Sequence, residues 1–330
     1  MEASPLERLA QACGQEFRHL IEARERTSKG FEDRRRRIAA LQAEPDVAVV
    51  LMGSWGRAEV TSGSDDDYMV LVNGAWRPDH EVNPSIEEVA KVLDVKPGRE
   101  GLFGEVAFCD YLEKRIGLQE DDNNNLSRRM LLLLESQAIL GEDTHQQAWA
   151  KVLDGYLRDA RKPGGVPRLL LNDIVRYWRT ICVDFAGKQR KRRGEGWGIR
   201  NVKLRTSRKM LFAGGLLPVL ECSALPPDEV AAFLAQRLRM PPTDRLAQSF
   251  LEAGAPDEGG RTIGAYDEFI GLLNTKAFRQ ALEALTRDAA GDSEEFAHGH
   301  RLGRTIQNGL LALLFETDTL PHLVREYAIF

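Results

Sequence analysis

Leu6, Leu9, Ala10, Cys13, Phe17, Leu20 and Ile21 recur at spacings of three and four, and this amphipathic stripe predicts one or two leading helices over residues 5–43. The pattern then changes. Residues 47–52 (VAVVLM) and 68–72 (YMVLV) are short apolar runs rich in β-branched side chains, closed by Gly53-Ser54 and Asn73-Gly74, and predict two buried strands. A helix is predicted over 83–95, with a capping-type start, and a third strand over 106–109. From there on the spacing is helical throughout: 125–140, 145–157, 167–188, 201–212, 227–238, 243–253, 265–289 and 293–317. Two glycines and two prolines in 163–167 predict a hinge, with the boundary between parts somewhere in 141–166. The expected fold is α+β: residues 1–145 form a small mixed-sheet domain with leading helices, and residues 146–330 an α-helical bundle.

Composition narrows the class. At 330 residues, 43% apolar and 29% charged, the chain has material for a sizeable core, which excludes a disordered or collagen-like protein. The longest apolar runs, 47–52 and 310–315, fall far below the roughly 20 residues of a membrane span. The first twenty residues lack the basic-then-apolar order of a secretory signal, so a cytoplasmic protein is expected. Cys13, Cys109, Cys182 and Cys222 form no Cys-x-x-Cys pair and are expected to be reduced, buried and inert. The net charge of −5 is unevenly spread: residues 176–209 hold twelve Lys or Arg against Asp184 and Glu195, a local +10.

The chemistry concentrates in residues 49–72. A strand runs into Gly53-Ser54, a ten-residue loop follows, and Asp65-Asp66-Asp67 leads into the second strand. In extended chain Asp65 and Asp67 share one face while Asp66 points the other way. Two adjacent carboxylates repel each other unless a cation lies between them, and hard oxygen ligands that leave coordination positions open suit Mg²⁺ holding substrate phosphates. Gly53 lets the backbone approach a phosphate closely, Ser54 Oγ adds a donor, and Arg57 is positioned to balance phosphate charge. Trp55, in the same turn, is open to two readings, core packing or stacking on a base.

Gly-Ser, ten residues and then Asp-x-Asp at a strand start resembles the signature of the polymerase-β-like nucleotidyltransferase superfamily. The fuller Gly-Ser-x-Gly-Arg-x-Glu-x-x-x-x-Ser-Asp-x-Asp is similar to its signal-protein uridylyltransferase branch. The match covers about 25 residues. It implies that Asp65 and Asp67 bind two Mg²⁺ ions and that Gly53, Ser54 and Ser64 hold the triphosphate of an NTP, with ATP expected. The acceptor oxygen then attacks the α-phosphate in line. A third carboxylate on a later strand is often present in the family, and Glu105 is favoured over Asp110.

In the basic region, Lys203 and Arg205 are the expected triphosphate ligands, because the helical part of such enzymes usually closes over the nucleotide. A solvated face and a polynucleotide track are the competing readings. The expected function is therefore Mg²⁺-dependent NMP transfer to an acceptor hydroxyl of a protein, nucleotide or nucleic acid. The alternatives are an oligonucleotide or signalling-nucleotide synthetase in bacterial anti-phage defence, and a catalytically inactive nucleotide-binding module. The six histidines are scattered and expected to be surface or satisfied core residues, and residues 120–125 read as a helix N-terminal cap cluster.

Overall fold

The computed structural model describes residues 3–93, 102–158, 165–191 and 194–329. Two leading helices, α1 (Pro5–Cys13) and α2 (Arg18–Ile38), precede strands β1 (Val47–Met52) and β2 (Tyr68–Val72). Helix α3 (Ile86–Leu93), strand β3 (Val106–Phe108), helices α4 (Cys109–Lys114) and α5 (Asn123–Glu135), strand β4 (Ser136–Leu140) and helix α6 (Glu142–Leu157) follow. The remainder is helical: α7 (Arg168–Lys191), α8 (Trp197–Arg205), α9 (Ser207–Glu221), α10 (Val230–Arg239), α11 (Pro242–Glu252), α12 (Pro256–Asn274), α13 (Lys276–Ala284), α14 (Glu294–Phe315) and α15 (Leu320–Leu323). The fold is α+β, as expected, and no helix among the described residues is long and apolar enough to cross a membrane.

The sheet has the order β3-β2-β1-β4. Strand β1 is antiparallel to both β2 and β4, while β2 and β3 run parallel. Every residue of β1 and β2 is buried because helices cover both faces. Val49, Leu51, Val70 and Val72 pack toward Phe31 and Ile38 of α2 and Val89 of α3. Val50, Met52, Met69 and Leu71 pack toward Leu126 and Met130 of α5 and Trp149 of α6.

Three expectations are corrected. The helix expected over 125–140 stops at Glu135, and Ser136–Leu140 is instead the edge strand β4, paired with β1 from Met52↔Ser136 to Val49↔Leu140. Ser136 Oγ donates to Leu132 O at 2.7 Å, which satisfies a carbonyl of the last helical turn and ends the helix there. The helix expected over 201–212 breaks at Thr206 (φ −118°, ψ −95°), whose hydroxyl bonds back to Val202 O at 2.8 Å. The helix expected over 265–289 is likewise split, at Thr275, into α12 and α13. The expected helix end at Val95 and the first two residues of the 163–167 hinge lie outside the described residues. The cap cluster is present: Asp122 caps α5, accepting from Asn125 N at 2.7 Å.

Packing crosses residue 145 in both directions. Leu6, Leu9, Phe17 and Leu20 share a core with Phe250, Tyr266 and Phe269 of the helical part, and the α5-covered face of the sheet shares one with Leu170, Ile174 and Leu234.

Candidate functional site

The end of β1 runs into a turn that the loop 55–64 must bring back to β2. Gly53 takes φ +66°, a conformation that disfavours side chains, and a Cβ placed there would lie 3.2 Å from Asp67 Oδ2. The turn closes through Arg57 N to Gly53 O (3.0 Å) and Glu59 N to Ser54 O (2.8 Å). Gly56 lies directly on the α5–β4 junction, where an added Cβ would overlap the Glu135 carbonyl.

The loop is clamped from outside. Trp55 is 2% exposed; its Nε1 donates to Asp65 O at 3.1 Å, Phe31 meets its ring edge-on, and the Arg34 guanidinium lies 4.1 Å from the ring centroid. Of the two readings of this residue, packing is the one observed. Arg34 also grips Asp66 through two 2.9 Å hydrogen bonds, so the middle aspartate turns away from its neighbours as the alternation required. Ser64 Oγ accepts from Thr61 N at 2.9 Å, and Ser62 is bonded to Asn274 at the end of α12.

Gly53, Ser54, Arg57, Ser64, Asp65, Asp67 and Lys203 all line one cleft, together with Glu59, Ser207 and Arg208. The sheet supplies its carboxylates, and the α8–α9 corner supplies cations from across the opening. Asp65 is exposed. Asp67 is largely buried, and burial drives its pKa up to about 6; Asp65 and Glu135 push the same way, against Arg208 and Arg57. Lys203 is drawn down to about 8, first by burial and then by Arg279, Arg208 and Arg57, with Asp65 opposing.

The other expected site residues fall elsewhere. Arg205 is exposed at the end of α8, donates to Asn201 at 3.0 Å and does not line the cleft. The break at Thr206 explains this: it turns Ser207 and Arg208 into the cleft one helical turn after Lys203. Arg208 was missed by sequence reasoning, because five residues after Lys203 it would lie about 140° round a continuous helix, and the break at Thr206 left no signal in the spacing. Glu105 is exposed, 3.9 Å from Arg128 Nη2, and outside the cleft lining, while Asp110 is held below the usual carboxylate range by Lys114 and Lys151. The later carboxylate whose charge reaches Asp67 is Glu135, at the end of α5.

Arg57 is buried rather than presented to a ligand. Its guanidinium pairs with Glu59 Oε2 at 2.9 Å and with Glu135. Tyr266 donates to Glu59 Oε2 at 2.7 Å, Tyr177 to Glu135 at 3.4 Å, and Arg208 lies 3.6 Å from Glu135. Arg57 thus stiffens the floor of the cleft, and the cations left to face a ligand are Lys203 and Arg208. Glu59 Oε1 is buried without a hydrogen-bond partner on this floor.

Among the described residues no group of three or more His, Cys, Asp or Glu gathers in metal-binding geometry. The carboxylates in the cleft that could ligate a hard divalent ion are Asp65 and Asp67, a pair that would leave the other coordination positions to water and substrate oxygens. Neither a protein-family model nor a curated protein matches the chain. The resemblance to nucleotidyltransferases rests on the short sequence motif.

Proposed function

We propose that the cleft is the active site of a magnesium-dependent nucleotidyltransferase, which moves a nucleoside monophosphate from a nucleoside triphosphate, ATP first among them, to an acceptor hydroxyl. The observation that carries this reading is the close approach of Gly53 to Asp67, which sets a serine-headed turn against a carboxylate pair with Lys203 and Arg208 opposite. That combination offers a negative pole for metal and donors for phosphate oxygens within one opening.

In this reading Asp65 and Asp67 hold Mg²⁺, which when bound would polarise the α-phosphate and acidify the acceptor hydroxyl. Ser54 Oγ and the Gly53 backbone orient the triphosphate. Lys203 and Arg208 offset charge as it builds on the departing pyrophosphate. The acceptor O–Pα bond forms as the Pα–O bond to pyrophosphate breaks, and the hydroxyl proton passes to solvent. Glu135 acts at one remove, by holding Arg57 and Arg208 in place.

Incubation with Mg²⁺ and each labelled nucleoside triphosphate, followed by separation of protein, nucleotide and oligonucleotide products, tests the reaction and identifies the acceptor. Asp65→Asn and Asp67→Asn are each expected to lower pyrophosphate release at least about a hundredfold. Release at the wild-type rate by either variant would overturn the assignment, as would the absence of transfer with every triphosphate and acceptor class.

A further inference from the structure

A second cavity, of about 180 Å³, lies beside β4 and shares no lining residue with the cleft. Three guanidinium groups line it, Arg35, Arg239 and Arg245, against one carboxylate, Glu142. Arg245 is 1% exposed; among the described residues no carboxylate pairs with it directly, and Glu135 and Asp244 act on it from further away. Its Nε donates to Met240 O at 2.8 Å and its Nη2 to Leu134 O at 2.7 Å, while Nη1 has no partner. A buried cation whose hydrogen bonds go to carbonyls, with the charges of Glu135 and Asp244 reaching it only through space, is a costly arrangement that a counter-charge in the cavity would relieve. Consistent with this, burial draws Arg245 down to about 9. Arg239 adds an exposed charge over the Trp149 ring, 4.6 Å from its centroid. Arg35 reaches Glu142 only at 3.5 Å and donates to Ala138 O.

His145, in the same lining, is an acceptor. The single hydroxyl proton of Ser136 goes to Leu132 O, so at the 2.8 Å contact with His145 the ring Nε2–H donates to Ser136 Oγ. Nδ1 is then a buried lone pair without a partner. Burial keeps this imidazole neutral, drawing its pKa down to about 4. The cavity therefore offers cationic donors and one neutral acceptor.

We propose that this cavity binds a small oxyanion that retains a proton or hydroxyl, a phosphate or phosphate monoester, held by Arg245 and Arg239 with His145 Nδ1 accepting from its O–H. Sulfate, fully ionised, has no proton to give Nδ1. The site does not depend on the nucleotidyl-transfer reading, since none of its residues belongs to the cleft.

Titration calorimetry of the full chain in magnesium-free buffer at pH 7 tests it, with inorganic phosphate, sulfate and glycerol 3-phosphate as probes. Phosphate is expected to bind one to one and sulfate at least tenfold more weakly. Arg239→Gln, an exposed change that spares the core, is expected to weaken phosphate at least tenfold, and Lys203→Gln to leave it unchanged. Equal affinity for glycerol 3-phosphate supports an ester as the natural source, and a tenfold loss supports free phosphate. No phosphate heat, binding indifferent to Arg239→Gln, or binding lost in Lys203→Gln would each overturn the proposal.

Discussion

Asp67 pays for its position. In the folded chain its pKa stands near 6 against an ordinary 3.8, chiefly through burial, so between these values the folded state binds more protons than the unfolded one. Stability contributed by this residue accordingly falls as pH rises from about 4 to about 6. Removing the charge in metal-free buffer at pH 7 is expected to stabilise the protein by up to about 3 kcal/mol, the value of a two-unit shift. Thermal melts of Asp67→Asn should thus show a midpoint several degrees above wild type at pH 7 and no difference at pH 4; an equal gap at both would assign the effect to something other than ionisation. Much of this residue's setting was legible in the sequence. The period of two placed Asp65 and Asp67 together and Asp66 apart, and the paired glycine and serine announced a tight turn. What was not legible is where Arg57 would spend its charge, because Glu135 lies 78 residues away and only tertiary packing brings the two together.

The α5–β4 junction is the element on which both cavities depend. Residues 131–134 are all leucine, and their continuous apolar run conceals the change from helix to strand. Ser136 and Gln137 carry no β-branched signal, so the edge strand is specified by pairing with β1 rather than by local preference. Gly56 is the test of how closely the turn after β1 depends on that junction. Its added methyl would lie 1.9 Å from the Glu135 carbonyl oxygen, backbone that cannot swing aside. Gly56→Ala is expected to cost about 1–3 kcal/mol in denaturant unfolding. By contrast Gly187, near the C-terminal end of α7, where an added Cβ meets nothing within 4 Å among the described residues, should gain about 0.5–1 kcal/mol when changed to alanine. The opposite signs separate crowding from backbone entropy, and equal effects would contradict the contact at the junction.

Across the whole molecule, the two-part division expected from composition does not correspond to two cores. Helix α1 and the start of α2 lie at the N-terminus yet pack with α11 and α12, and Leu6 N donates to Asp244 at 3.0 Å across the length of the chain. The helical pattern of α1 was plain in the sequence, but an amphipathic stripe says only that a face is buried and not against which partner. A fragment of residues 146–330 would lack Leu6, Leu9, Phe17 and Leu20 from its core and is expected not to fold. Calorimetry of the full chain should give one transition with matching calorimetric and van't Hoff enthalpies, whereas two resolved transitions would contradict the shared cores.

The clamp beneath the loop has an optical consequence. The Trp55 indole is bonded to the Asp65 carbonyl and faced by the same guanidinium that grips Asp66, so anything that draws the aspartates together strains the surroundings of a fluorophore. Emission assigned to that indole, by subtracting the spectrum of Trp55→Phe from wild type, is expected to shift when Mg²⁺ and a triphosphate are added and to stay constant in Asp65→Asn. Under the proposed function the molecule would carry its own gauge of occupancy, readable without labels and before any product has formed.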